Sequence, residues 1–352
     1  MREIQIDLAA LKSNLHYIKS KAKLPVLAVV KADAYGHGLI PCAKAAVEVG
    51  AEWLGTALLE EAFALREAGI SAPILAWLVA PGEDFERAVK LNIDLGVSSL
   101  KVFDEINSIP NARIHLEVES GMGRGGFLNE WPDLLKRDLS KVVGIFTHLA
   151  RADEPTEIQN NLQAENFDRF VGDLHRLGLK PLRHIANTAA TLSGNRASYL
   201  VKYDLVRIGI AMYGYSPLGP DENLKPVMKV RAKLVLVKQM PAGHPIGYGA
   251  TELTKGETKI GIVQMGYADG IPRNARGAGV TFNGEPAPMI GRVSMDQFAV
   301  DLGPNSNAKS GDWVTVIGEK FDCYAWAKAC QTITYEITTR ISSRILRLYV
   351  GQ

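Results

Sequence analysis

The sequence predicts an α/β protein: a closed, TIM-like (β/α)8 barrel followed by a C-terminal, mainly β domain. Between Pro25 and Tyr213, short apolar runs alternate with amphipathic stretches, the pattern of a parallel sheet wrapped in helices. That pattern stops at the turn-rich segment Ser216–Asn223, beyond which strand-like pieces are separated by glycine and proline. The chain has 352 residues, more than one hydrophobic core usually serves, roughly 250–300. These observations divide it into a barrel at 1–222 and a β-rich domain at 223–352. Ile4 to Asp7 are expected to pair with the β domain rather than with the barrel.

The apolar runs are Val26–Val30, Trp53–Ala57, Pro73–Trp77, Ile93–Val97, Arg113–Val118, Val142–Thr147, Leu182–Ala186 and Leu205–Ile210. Each is short and bounded by turn formers, as a fully buried strand is. The intervening stretches Glu60 to Ala68, Asp84 to Leu91 and Glu157 to Leu177 read as helices. A doubly wound open sheet is the alternative, but it usually has fewer strands, and no GxGxxG follows the first run here. After the linker, Val230–Lys238, Lys259–Met265, Val280–Phe282, Gln297–Asp301 and Trp313–Ile317 read as strands. One helix is expected near Tyr324–Cys330.

Composition excludes several classes of function. Forty basic and 38 acidic residues give a net charge of +2, too little for the basic field that nucleic acid or an anionic membrane attracts. No apolar run reaches the ~20 residues of a membrane span, and the first residues lack the apolar stretch of a signal peptide. The three cysteines are an odd number with no CxxC pair, which fits a reducing compartment and argues against a disulfide frame or a metal site. The expected location is cytoplasmic.

A barrel carries its chemistry at the C-terminal ends of its strands. Lys31 follows the first run, where an unpartnered ammonium is costly to bury but an amine is useful as a Schiff base with an aldehyde cofactor. A solvated lysine ending a strand is the plain alternative. Arg124 lies just past the fifth run, His148 ends the sixth, Asn187 and Thr188 end the seventh, and Arg207, Gly209 and Ile210 lie in the eighth. The loops after strands seven and eight form the phosphate site of many barrels. Singly, His148 reads equally well as a core histidine and Arg207 as one half of an ion pair. Together, at one rim, they point to an active site.

These residues lie in motifs that resemble the alanine racemase family, fold-type III pyridoxal-phosphate enzymes. Ala28-Val29-Val30-Lys31-Ala32-Asp33-Ala34-Tyr35-Gly36-His37-Gly38 resembles the cofactor-lysine signature, and Gly121-Met122-Gly123-Arg124 the substrate-arginine motif. Val206-Arg207-Ile208-Gly209-Ile210-Ala211-Met212-Tyr213-Gly214 resembles the segment that meets the pyridine nitrogen. Gly247-Tyr248-Gly249-Ala250-Thr251 resembles the catalytic-tyrosine loop, and Gly291-Arg292-Val293-Ser294-Met295-Asp296 a loop that reaches a neighbouring subunit's site.

The resemblance implies racemisation of alanine by two bases, with pyridoxal 5'-phosphate as cofactor, supplying D-alanine for peptidoglycan. It implies that Lys31 carries the cofactor and acts as one base, and that Tyr248 from the other subunit of a homodimer is the second. Tyr35, Thr188, Gly209, Ile210 and Tyr335 hold the phosphate, with Asn187 lining that site. Arg124 and the Met295 backbone bind the substrate carboxylate. Arg207 donates to the pyridine nitrogen, and His148 links Arg207 towards Tyr248. Tyr267, Asp153, Arg273 and Arg292 match positions around the entrance.

Two bases on opposite faces spare a single base from swinging around the substrate. Tyrosine is a poor base at its ordinary pKa of about 10, so a cationic neighbour is needed to favour its phenolate. One departure stands out. Many relatives carry a carbamylated lysine where this chain has Glu117, and we expect Glu117 to contact and orient Arg124 directly. Rival readings are a decarboxylase of the same architecture, a racemase of broader substrate range, and a non-enzymatic cofactor carrier. Arg207 and Tyr248 argue against the first, and Tyr248 against the last.

Overall fold

The computed structural model describes residues 1–194 and 202–351. Among the described residues, nine strands and nine helices set out the first part of the chain, up to residue 208. The strands are β1 (Arg2–Asp7), β2 (Val26–Val29), β3 (Trp53–Thr56), β4 (Ile74–Ala76), β5 (Ile93–Val97), β6 (Ile114–Glu117), β7 (Val142–Phe146), β8 (Leu182–His184) and β9 (Val206–Ile208). The helices are α1 (Leu8–Ala22), α2 (Lys31–Gly36), α3 (Leu39–Glu48), α4 (Leu59–Glu67), α5 (Phe85–Lys90), α6 (Leu100–Asn107), α7 (Trp131–Leu134), α8 (Ile158–Arg176) and α9 (Thr188–Leu192).

Strands β2 to β9 form one parallel sheet in the order β8-β7-β6-β5-β4-β3-β2-β9. Strands β2, β4, β5 and β9 are buried along their whole length, as strands covered on both faces are. This is why they read as unbroken apolar runs. Backbone bonds join the two ends of the sheet: Asp204 N–H donates to Arg183 C=O and Arg207 N–H to Ala186 C=O, each at 2.9 Å. The Asp204 carboxylate also accepts from the Arg183 backbone and guanidinium. The result is the barrel, which with its helices forms a unit of residues 11–34 and 39–225.

Local signals start the helices. The Asp84 side chain accepts Arg87 N–H at 3.0 Å at the start of α5, and Asn187 Oδ1 accepts Ala190 N–H at 3.1 Å at the start of α9. Both are N-caps, which satisfy a donor the helix cannot.

The other unit comprises residues 1–10, 35–38 and the chain from Pro226 onward. Its later strands are β10 (Met228–Met240), β11 (Pro245–Ile246), β12 (Glu252–Leu253), β13 (Thr258–Val263), β14 (Gly279–Phe282), β15 (Glu285–Ile290), β16 (Phe298–Gly303), β17 (Trp313–Ile317) and β18 (Leu346–Val350), with α10 (Cys323–Cys330) and α11 (Thr334–Thr339). The large sheet runs β13-β16-β15-β14-β17-β10-β1-β18, and a further β13–β10 pairing curls it. β10 has 13 residues and pairs with β17 through its first half and with β13 through its second. A register shift between Leu234 and Leu236 lets it do both. β1 pairs antiparallel with β10 and parallel with β18, which buries Ile4 and Ile6 completely.

Candidate active site

Strand β2 ends at Val29 and Lys31 opens α2. This helix is left-handed: Ala32, Asp33, Ala34 and Tyr35 have φ between 53° and 56°, and Gly36 has φ 81°. Left-handed turns cost L-residues roughly 1–2 kcal/mol each, so the segment needs to be held. Glu61, near the start of α4, accepts N–H bonds from Ala32 (2.5 Å), Ala57 (3.0 Å) and Leu58 (3.1 Å). Asp33 Oδ1 accepts Leu39 N–H at 2.8 Å. The Lys31 ammonium lies 6.0 Å from the Trp77 ring centre. Burial, with Arg124 and Arg207 nearby, lowers its pKa, and Glu61 opposes the shift.

Arg207, on β9, is buried at 6% exposure and held by five acceptors. Its guanidinium donates to the C=O of Thr147 (2.7 Å), His184 (2.7 Å) and Ile185 (3.3 Å), to His184 Nδ1 (3.1 Å) and to His148 Nδ1 (3.4 Å). Burial pushes its pKa down to about 10, with the negative charge of Glu117 opposing, so it stays a cation at neutral pH. His148, two residues past β7, is held down to about 3 by burial and by Arg207, Arg124 and Lys31. It is therefore neutral.

Behind Arg207 runs a chain the sequence did not reveal. His115 Nδ1 lies 3.0 Å from His184 Nε2, His115 Nε2 lies 3.2 Å from Asp94 Oδ2, and Asp94 Oδ1 pairs with Arg113 at 2.8 Å. Arginine only donates. His184 Nδ1 must therefore accept, and its Nε2–H donates to His115, whose Nε2–H donates to Asp94. Every tautomer follows from the arginine end.

Arg124 follows β6 on an exposed loop and makes no ion pair among the described residues. The direct Glu117–Arg124 contact expected from the sequence is not made. Glu117 instead accepts from Ser98 Oγ at 2.6 Å. The physical reason is that another acid holds the loop: the Glu119 carboxylate accepts N–H bonds from Gly121, Met122, Gly123 and Arg124 at 2.5–3.3 Å. The loop is thereby folded around Glu119, and Glu117 lies beside Gly125 with its charge toward Arg207.

After β8 and β9 come two short helical starts. Asn187 caps the first. In the second, Gly209 N–H donates to Thr188 Oγ1 at 3.0 Å, which leaves the Thr188 hydroxyl hydrogen to donate elsewhere. Ile210 opens a 3-10 turn to Tyr213, whose first N–H groups point away from the turn. A hydroxyl donor beside open backbone N–H groups is suited to a phosphate.

In the other unit, Tyr35 and Tyr335 have ring centres 6.0 Å apart, and burial with Tyr335 as neighbour raises the Tyr35 pKa. Tyr248 is 67% exposed and Met295 55%. Tyr248 stands in a turn between Gly247 (φ 71°) and Gly249 (φ 77°), both of which pack against Arg292. Tyr267 joins Met295 through Tyr267 N–H to Ser294 C=O and Ala268 N–H to Met295 C=O, each at 3.0 Å. Arg344 bridges the buried Asp269 and the exposed Asp296 at 2.7 and 2.8 Å. Asp153 and Arg273 are exposed in their separate units.

The barrel strand ends thus gather Lys31, Arg124, His148 and Arg207, close enough for the Arg124 charge to bear on each of the other three. Known proteins resemble this chain in sequence and fold over its whole length. The alanine racemase N-terminal domain family matches residues 6–217, and the C-terminal domain family residues 227–349. The curated alanine racemase of Salinispora tropica is 40% identical over 371 residues, covering 99% of this chain and 98% of that one. The crystal structure of alanine racemase from D-cycloserine-producing Streptomyces lavendulae superposes with a TM-score of 0.95 at 40% identity, over 100% of this chain and 97% of that one. The Bartonella henselae alanine racemase, solved with covalently bound pyridoxal phosphate, gives a TM-score of 0.90 at 28% identity and covers 99% of each chain. With both domain families matched in order and relatives aligned from end to end, the chain belongs to the alanine racemase family.

Proposed function

We propose that this chain interconverts L- and D-alanine with pyridoxal 5'-phosphate, using Lys31 and Tyr248 as opposing bases, in a cytoplasmic homodimer whose active sites are shared. The observation that carries the reading is the Lys31 amine, whose pKa is lowered by burial and two arginines at the barrel rim. An amine so placed is more readily neutral, the form that bonds to an aldehyde or takes a proton.

The donor set fits the cofactor. Thr188, Gly209 and Ile210, with Asn187, Tyr35 and Tyr335, would hold the phosphate, and Arg207 would face the pyridine nitrogen. When bound, the cofactor supplies an electron sink that makes the substrate's α-proton removable. The remaining work falls to the chain. Arg124, with no ion-pair partner among the described residues, anchors the substrate carboxylate together with the Met295 backbone. Arg207 remains protonated, because its pKa of about 10 is well above neutral. It therefore donates to the ring nitrogen rather than giving up a proton. Neutral His148 accepts from Arg207 on Nδ1, which leaves its Nε2–H to donate; in a shared site it would do so toward the phenol of Tyr248. Lys31 Nζ and Tyr248 Oη take and return the proton on opposite faces.

Exposure of Tyr248, Tyr267 and Met295 supports their use by a second copy. Among the described residues no helix is long and apolar enough to cross a membrane. Purified protein supplied with pyridoxal phosphate is expected to absorb in the visible and to form D-alanine from L-alanine. Lys31→Ala should abolish both. Colourless protein, or a coloured one that forms no D-alanine, contradicts the reading.

A further inference from the structure

We infer that Gln163, in the N-terminal half of α8, is a positioning residue that sets Arg124 against His148 and so fixes where the substrate carboxylate is held. The inference deepens the proposed function, since it rests on Arg124 being the carboxylate anchor.

Gln163 is fully buried and uses its whole amide. Nε2 donates to Ser120 Oγ at 3.2 Å and to His148 C=O at 2.9 Å, and Oε1 accepts Ala150 N–H at 2.8 Å. One side chain thus ties the loop after β6 to the chain after β7. Its neighbours on the same helix face, spaced four and three residues away, grip the same loop. Gln159 Nε2 donates to Gly121 C=O at 2.7 Å and Asn166 Nδ2 to Ser120 C=O at 2.9 Å. From inside the loop, Glu119 gathers the four N–H groups from Gly121 to Arg124. Phe127 closes it, its N–H donating to Glu117 C=O and its C=O accepting Glu119 N–H. The backbone that carries Arg124 is therefore held from both sides, while among the described residues the guanidinium makes no ion pair. Such a frame orders the loop that carries the cation before substrate arrives, so binding does not have to order it.

The test uses the cofactor-loaded enzyme and two readouts. Gln163→Leu removes the amide at similar size, and Glu119→Gln places an amide NH2 against N–H donors. Each should raise the KM for alanine by roughly tenfold, the factor carried by about one lost hydrogen bond, with a smaller effect on kcat. Each should also speed amide hydrogen exchange across residues 120–126. Glu119→Asp, which keeps the carboxylate, should recover part of the protection. In an Arg124→Ala background, Gln163→Leu should add nothing further to KM, because coupled residues are non-additive. Unchanged loop exchange in both variants, or a full additional KM effect in the Arg124→Ala background, overturns the inference. An Arg124→Ala enzyme with normal KM overturns instead the anchor reading, whatever the exchange data show.

Discussion

Arg207→Lys keeps the charge and removes the geometry, so it isolates what the guanidinium contributes. Five acceptors converge on Arg207: three backbone carbonyls, His184 Nδ1 and His148 Nδ1. An ammonium has three donors. At least two of the five are then left without a partner, and each buried polar group so abandoned costs about 1–3 kcal/mol. The expected destabilisation is about 2–6 kcal/mol, a large share of the ~5–15 kcal/mol that holds an ordinary domain. Urea unfolding of the wild type and the variant, compared at one pH, measures it. A difference within about 0.5 kcal/mol, the range of an inconsequential surface change, would refute the view that Arg207 is locked by this web. Arg207→Glu would be a poor probe of the ring nitrogen, because it would aim a carboxylate at three carbonyl oxygens.

The remaining predictions concern other parts of the site. Arg124→Ala should leave stability within about 0.5 kcal/mol yet raise KM by roughly 10–150-fold, the loss of a hydrogen-bonded charge worth about 1.5–3 kcal/mol, in steady-state racemisation assays. His148, held down to about 3 from its ordinary 6.5, and His184, also held far down, stay neutral in the fold. The unfolded chain takes up these protons as pH falls through 6.5 and the folded chain does not. Stability should therefore drop between pH 6.5 and about 3, by up to about 1.4 kcal/mol per pH unit for each histidine. Above pH 7.5 these two groups add no slope. Urea midpoints against pH should show the slope, and His148→Asn should flatten it by about half. Gly36→Ala combines φ 81° with a Cβ directed into Thr338 C=O. It should destabilise by more than the ~1 kcal/mol of an ordinary left-handed alanine, read by thermal unfolding.

The barrel was legible because its strands are buried on both faces. Each apolar run contains one strand, trimmed by a residue or two where the run continues into a loop. The strand-end rule likewise pointed to Lys31, Arg124, His148 and Arg207, which the structure brings near one another. Strand β15 was missed because Pro286 and Pro288 read as breakers, yet they face β14 at positions where the ladder tolerates them. Strand β18 is short and largely exposed along one face, and α11 is only six residues rich in threonine; neither gives a strong period. The supporting polar groups were invisible for a different reason. His115 and His184 are 69 residues apart, and nothing in either neighbourhood announces the other. Glu61 and Gln163 lie inside helices, where an acid or amide ordinarily faces water. For Glu117 and Glu119, spacing could not say which acid would fold the loop. The one that could reach the N–H groups of Gly121 to Arg124 did so, and Glu117 turned to Ser98.

The central claim is that the α-proton is handled by an amine on one face and a phenol on the other. The direct measurement is solvent-deuterium incorporation by the Tyr248→Phe enzyme, loaded with pyridoxal phosphate and given each alanine enantiomer separately. The account predicts that interconversion is lost while one enantiomer still exchanges its α-hydrogen with retained configuration, through Lys31 alone. Interconversion at the wild-type rate, or equal exchange into both enantiomers, would contradict it.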